Sequence, residues 1–141
     1  MQVINEVSSS PEARDAFFSK LDPNAPVVMV NLLKFKEKAE YPDGRETDLS
    51  GAQAYGIYGE AVGKMIEALG GTRVHGGMVT GLMLGQVEEL WDVVGIVEYP
   101  NPAAFREMLE SEAYQEAHVH REAGLAGQLN IATTSPGHRQ Q

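Results

Sequence analysis

The segment from Trp91 to Arg121 constrains the fold more than any other part of the chain. It begins with a nearly uninterrupted apolar strand, Trp91 to Tyr99, and continues into two helical segments that Asn101-Pro102 and Ser111 are predicted to cap. A strand this apolar needs cover on both faces. The segment therefore predicts a sheet that is covered by helices on one face and by something else on the other.

The other elements follow from their own start and stop signals. Ser10-Pro11-Glu12 is a typical helix start, and Ser50 with Gln53 is a capping box that opens a long helix ended by Gly70-Gly71. Strands are predicted at Val27–Phe35, at Thr72–Gln86 and at Gln128–Thr134.

The order of these elements is β, α, β, β, α with an additional helical turn, and β. This order predicts an α+β, ferredoxin-like split βαβ fold, with a four-stranded antiparallel sheet and helices on one face. The predicted domain organisation is a helical extension at 1–25, a ferredoxin-like domain at 26–134 that includes a charged arm or flap at 36–49, and a flexible tail at 135–141.

The second apolar face of the sheet predicts a homodimer, because another subunit is its simplest cover. The chain carries 11 basic and 20 acidic side chains, a formal net charge of −9, which argues against nucleic acid and anionic membrane as partners. There is no cysteine, and no apolar run approaches the roughly 20 residues that span a bilayer. A cytoplasmic protein is expected.

Three motifs are distinctive: Gly70-Gly71 after a tyrosine-bearing helix, the WD-x5-EYP frame of Trp91 to Pro100, and SEAYQ at Ser111–Gln115 followed by Arg121. Together they resemble the motifs of the DUF1330 family. The resemblance implies membership of the dimeric α/β-barrel superfamily, in which two ferredoxin-like subunits join their sheets. That superfamily also includes muconolactone isomerases, small quinone-forming monooxygenases and haem-dependent enzymes. It therefore implies a fold and a dimer but no particular reaction.

Tyr114, His118 and Arg121 follow one another at i, i+4 and i+7 and share one helical face. A tyrosine and an arginine can bind a carboxylate or enolate oxygen, and a histidine beside them can move a proton. The alternative is a half-buried helix whose tyrosine packs and whose arginine forms a salt bridge with an acid. His118 and His120 point apart on a helix, so no metal site is predicted.

Further candidates come from polar groups inside apolar elements. Glu98 is predicted to act in acid–base chemistry if it is buried. The alternative is a strand-end carboxylate that is solvated or paired with Arg121 or Arg73. Substrate-binding roles are assigned to five residues of the strands and helices, namely Asn31, Tyr55, Tyr58, His75 and Tyr114.

The functional prediction is the binding of a small, partly apolar organic molecule in a pocket between sheet and helices. It leaves open whether that molecule is also converted without a cofactor by His118, Glu98 and Arg121. Two alternatives remain at this stage. One is a non-catalytic dimerisation or regulatory module, and the other is a haem-dependent enzyme with His75 as axial ligand.

Overall fold

The computed structural model describes residues 1–136, which form four helices and four strands. Their bounds, in chain order, are α1 (Pro11–Ser19), β1 (Val27–Phe35), α2 (Gly51–Ala68), β2 (Thr72–Met78), β3 (Val93–Tyr99), α3 (Pro102–Glu110), α4 (Glu112–Gly124) and β4 (Leu125–Thr134).

The four strands form one antiparallel sheet in the order β2-β3-β1-β4. β1 lies at the centre, where Met29 pairs with Val97 of β3 on one side and with Ala132 of β4 on the other. This is the ferredoxin-like arrangement, so the predicted α+β fold is confirmed.

The predicted caps begin the helices. Ser10, Asn101 and Ser111 each accept a hydrogen bond from the backbone N–H three residues later, at 3.1, 2.8 and 3.2 Å. Ser50 and Gln53 form the complete capping box at α2. The Ser50 N–H donates to Gln53 Oε1 at 2.8 Å, and the Gln53 N–H donates to Ser50 Oγ at 3.0 Å. These bonds satisfy backbone donors that the first helical turn leaves without partners.

The helices cover one face of the sheet, where the main core lies. Val27, Met29 and Tyr99 of the sheet are buried against α2 and α3, and Phe18 of α1 joins them. The stacked rings of Tyr99 and Phe105, 4.0 Å between centroids, fasten α3 to β3. None of the helices formed by residues 1–136 covers the opposite face of the sheet, hereafter the open face.

The predicted strand Thr72–Gln86 is too long. β2 ends at Met78, and residues 79–92 form a connection that exposes Met83 and Leu84. The alternation of apolar residues continues past Met78, but within residues 1–136 the pairing with β3 ends at Met78 and Val93. β3 begins two residues later than predicted, at Val93, and β4 begins earlier, at Leu125.

The predicted arm at 36–49 packs against the helices. Ala39 and Tyr41 are buried in a second small core with Ala54 and Ala123, and the Glu40 N–H donates to the Ala123 carbonyl at 2.9 Å. The tail predicted at 135–141 lies outside the described residues from position 137 onward. Along the part of the chain that is described, no helix combines the length and apolarity needed to cross a membrane.

Candidate functional site

A cavity of about 1040 Å³ lies between the helix-covered face of the sheet and the four helices. Its apolar walls come from the main core, including Met29, Val62, Ile66 and Phe105. Its lining includes seven of the eight residues that the sequence nominated, namely Asn31, Tyr55, Tyr58, His75, Tyr114, His118 and Arg121.

Three tyrosines form one connected cluster in this cavity. The ring centroids of Tyr55 and Tyr58 lie 5.2 Å apart, those of Tyr58 and Tyr114 lie 5.8 Å apart, and the hydroxyls of Tyr58 and Tyr114 are hydrogen-bonded at 3.0 Å. Burial raises the pKa of Tyr55 to about 12 and that of Tyr58 well above its usual value of 10. Both tyrosines therefore remain protonated at neutral pH and can act as hydrogen-bond donors.

A close helix contact brings the tyrosines together. Gly51 at the start of α2 meets Gly124 at the end of α4, where a Cβ on Gly124 would collide with the Gly51 carbonyl and lie 2.9 Å from the Tyr55 backbone nitrogen. Because both positions are glycine, the two helix backbones approach closely. Tyr55 and Tyr58 on α2 consequently face Tyr114 on α4.

Arg121 is held by neutral acceptors. Its guanidinium donates to the Val7 carbonyl and to Gln128 Oε1, both at 2.5 Å. The Gln128 amide donates in turn to Asn31 Oδ1 at 2.8 Å, and the Asn31 amide donates to the Gly95 carbonyl at 3.2 Å. The salt bridge expected for Arg121 in the packing alternative is not formed with any carboxylate of residues 1–136.

His118 and His120 occupy different environments on α4. His118 Nδ1 lies 2.7 Å from Glu122, whereas His120 Nδ1 lies 2.6 Å from the Tyr41 hydroxyl on the packed arm. Burial lowers the pKa of His118, the charge of Arg121 lowers it further, and Glu122 opposes both. A neutral His118 that donates from Nδ1 to Glu122 leaves Nε2 as an acceptor, as a general base requires.

Glu98 does not line the cavity, and His75 lines it but forms no hydrogen bond or ring contact with the tyrosines, His118 or Arg121. Glu98 pairs in register with Val28 and Thr72, and by strand alternation its side chain lies on the open face with Val94 and Ile96. The expected pairing of Glu98 with Arg121 or Arg73 is absent within residues 1–136, where Arg73 instead pairs with Glu67 at 3.1 Å.

A β-bulge explains the position of His75. The register shifts between Arg73 and His75, so that His75 pairs with Ile96, and a Cβ on Gly77 would lie 2.9 Å from the His75 ring. His75 is exposed and lines the cavity. Its pairing with Ile96 and the nearness of its ring to Gly77 place the ring on the face of the sheet that carries Glu98.

Arg14, Gln128 and Asn130 are among the polar lining residues that the sequence analysis missed. Arg14 comes from α1, which the sequence assigns to an extension. Gln128 is only 7% exposed and links Arg121 to Asn31, and Asn130 follows on the same face of β4. The available signal for the last two was their alternation in QLNIATT, which places Gln128 and Asn130 on one strand face.

Comparison with known proteins gives a family and close structural relatives. A crystal structure of the methylated RPA0582 protein has 38% sequence identity and a TM-score of 0.83, with 95% of this chain and 98% of that chain covered. A second structure, of the RPA0582 protein of unknown function from Rhodopseudomonas palustris, has 35% identity and a TM-score of 0.82, with 94% and 98% covered.

No curated protein matches the chain significantly. The profile described as "Domain of unknown function (DUF1330)" matches residues 45–134, from the end of the packed arm to the end of β4. This range is more than half of the chain and includes α2, the whole of α4 and three of the four strands. The chain therefore belongs to the DUF1330 family.

Proposed function

We propose that this protein binds a small, partly apolar organic molecule in the cavity between the sheet and the helices. The observation that carries this proposal is the combination in one cavity of apolar walls with Arg121, His118 and the Tyr55 hydroxyl. Ligand sites of this kind are largely apolar, with a few polar groups that orient the ligand.

The Tyr55 hydroxyl supports a direct role in binding. It has no hydrogen-bond partner among residues 1–136, although its ring packs between Phe35 and Tyr58 at centroid distances of 5.3 and 5.2 Å. A tyrosine with a raised pKa presents an O–H donor to whatever occupies the cavity. A ligand carbonyl or hydroxyl oxygen is the natural acceptor.

The same cluster supports conversion of the ligand by proton transfer. For a ligand that carries a carbonyl group, His118 Nε2 can take a proton from the carbon next to that group. The C–H electron pair then forms an enolate, whose oxygen Arg121 and Tyr55 can stabilise. Return of the proton from His118 to another carbon of the enolate completes an isomerisation. This chemistry needs no cofactor. Glu98, which lies on the open face, is not part of this proposal.

The binding proposal is tested with N-phenyl-1-naphthylamine, a neutral apolar probe whose fluorescence rises on leaving water. Gly59 lines the cavity, and a Cβ at Gly59 or at Gly56 meets no atom within 4 Å. Gly59→Phe fills cavity space and should weaken binding of the probe at least about tenfold, the effect of losing roughly 1.4 kcal/mol.

Gly56→Phe is the matched control, because Gly56 lies in the same helix, is exposed and does not line the cavity. It should leave binding of the probe unchanged. Equal effects of the two substitutions, or no saturable binding by the wild type, would contradict the proposal.

We also propose that the protein is a homodimer formed through the open face. The supporting observation is a continuous apolar patch in which Val30 pairs with both Ile96 and Ile131, and Leu32 pairs with both Val94 and Leu129. Ile131 remains 46% exposed in the single chain. A patch of this kind is typical of a subunit interface. Sedimentation equilibrium that gives a monomer mass at micromolar concentration would contradict the dimer.

Neither the dimerisation alternative nor the haem alternative accounts for the polar residues of the cavity. A purely structural dimer does not require the polar lining of a cavity on the other side of the sheet. A haem held by His75 would have to lie at the open face, because that is where the exposed ring of His75 is found. The cavity cluster supports neither role.

A further inference from the structure

The charge lining the cavity is opposite in sign to that of the whole protein. The chain has 20 acidic against 11 basic side chains, yet among the described residues the cavity is lined by Arg14, Arg73 and Arg121 and by no aspartate or glutamate. A random sample of this chain's charged groups would favour acids. The cavity therefore presents positive charge to its contents while the remaining surface is acidic.

Two of these arginines lack a neutralising carboxylate. Arg73 pairs with Glu67, but neither Arg14 nor Arg121 lies within salt-bridge distance of an acid in the described part of the chain. Arg121 is half-buried and its partners, Val7 and Gln128, are uncharged acceptors. A guanidinium removed from water without a counter-charge is an unfavourable arrangement that a bound anion would relieve.

Arg14 and Arg121 act on the same part of the cavity although they come from opposite ends of the chain. Phe17 and Phe18 of α1 pack into the core, and Arg14 lies one helical turn before them. The packing of these two rings therefore brings Arg14 to the cavity wall. His118 lies within electrostatic reach of both arginines, and each lowers its pKa after the larger effect of burial. Both arginines and the proposed base therefore line one cavity, and the charge of each arginine acts on His118.

We propose that the ligand is a small organic anion whose carboxylate, sulfonate or enolate group lies between Arg14 and Arg121, with its apolar body against the core side of the cavity. This inference rests on the proposed binding function and specifies its ligand class. The body would contact Val62, Ile66 and the tyrosine cluster. The positive lining would exclude organic cations of the same size.

The test uses two probes that share one ring system. 8-Anilinonaphthalene-1-sulfonate carries a sulfonate, and N-phenyl-1-naphthylamine is the same anilinonaphthalene without it. Wild-type protein should bind the anionic probe at least about tenfold more tightly, as charge-assisted hydrogen bonds predict. Arg121→Gln and Arg14→Gln should each reduce this preference at least about threefold while changing the affinity for the neutral probe by less than about twofold.

Lys20→Gln and Lys64→Gln are the matched controls, because each removes one positive charge from an exposed residue that does not line the cavity. They should leave the preference unchanged. Arg14→Gln keeps the test decisive if Arg121→Gln fails to fold. The Arg14 side chain forms no hydrogen bond or ion pair within residues 1–136, so its replacement should not destabilise the fold.

Equal wild-type affinities for the two probes, or equal losses in the lysine and arginine variants, would overturn the anion inference. Binding of the neutral probe that remains sensitive to Gly59→Phe would then leave the proposed binding function intact. Failure of both probes to respond to Gly59→Phe would overturn the binding function and the anion inference together.

Discussion

Arg121 joins two parts of the chain that are far apart in sequence. It donates to the Val7 carbonyl and to Gln128, beside the point where Glu6 and Gln128 exchange backbone hydrogen bonds of 3.2 and 2.9 Å. We expect Arg121→Gln to lower the free energy of unfolding by about 1–3 kcal/mol, because it removes charge-assisted bonds and leaves half-buried acceptors unsatisfied. Urea denaturation measures this loss.

Arg121→Lys separates charge from geometry at the same position. The ammonium keeps the positive charge, but it cannot reach two acceptors with the planar fork of a guanidinium. The Arg121→Lys variant should therefore be less stable than the wild type and more stable than Arg121→Gln. Hydrogen exchange at the Glu6 and Gln128 amides should be faster than in the wild type. Wild-type exchange rates in both variants would show that Arg121 does not hold the N-terminal segment.

His118 should give the folded protein a characteristic pH dependence. Burial first, and then Arg121, lower its pKa in the folded state below the usual 6.5, so the unfolded chain binds the proton more readily. The contribution of His118 to the free energy of unfolding is therefore fully present above about pH 6.5, and it is lost as the pH falls below that value. Wild-type protein should therefore lose more stability between about pH 7 and about pH 5 than His118→Asn does.

Thermal unfolding at several pH values gives this comparison. His120, whose pKa is lowered by burial and by Arg45, is retained in both proteins, so the difference reports on His118. Parallel pH profiles, or a steeper loss in His118→Asn, would contradict the expected direction.

At the scale of elements, the contact of Gly51 and Gly124 sets the spacing of α2 and α4. We expect Gly124→Ala to destabilise the protein by about 1–3 kcal/mol or more, because the new methyl group meets backbone atoms rather than a flexible side chain. Gly56→Ala is the control within α2, since nothing lies within 4 Å of a Cβ there. It should stabilise the helix by about 0.5–1 kcal/mol.

Chemical denaturation of the two alanine variants should give shifts of opposite sign. Gly124→Ala should also weaken binding of the neutral probe, because widening the helix pair separates Tyr58 from Tyr114. A stable Gly124→Ala variant with unchanged binding would show that the close contact does not position the tyrosines.

The elements that could be predicted from sequence are those with local determinants. The caps at Ser50 and Ser111 and the strand Val27–Phe35 depend on neighbouring residues, and the structure confirms them. The end of β2 at Met78 could not be predicted in this way, because it depends on where the pairing with β3 ends, at Val93. Strand length is a property of the pair of strands rather than of either sequence alone.

The same distinction applies to the cavity. Tyr114, His118 and Arg121 could be grouped by helical spacing, and they share the cavity as that spacing predicts. The face of His75 could not be predicted because the bulge after Arg73 reverses the alternation. The place of Arg14 depends on how α1 packs, a tertiary contact that no local pattern records.

At the scale of the whole molecule, the sheet separates two surfaces of different character. The helix-covered face contains the cavity with its arginines, whereas the open face of the same strands carries the apolar patch of β1, β3 and β4. β1 and β3 carry apolar side chains toward both faces, which accounts for the near-continuous apolarity of their sequences. Dimerisation through the open face would thus leave the cavities of both subunits accessible.

The open face can be tested by placing a charge on it. Ile131 is 46% exposed in the single chain, so Ile131→Lys should cost the isolated fold little, but in the proposed dimer it buries an ammonium in an apolar interface. Sedimentation equilibrium should then show a dissociation constant raised at least about a hundredfold, equivalent to about 2.8 kcal/mol. Ile57→Lys makes the same change at a 42% exposed position on α2 and should remain dimeric. If Ile131→Lys and Ile57→Lys sediment alike as dimers, the subunits must associate through another surface, and the apolar open face would need a different explanation.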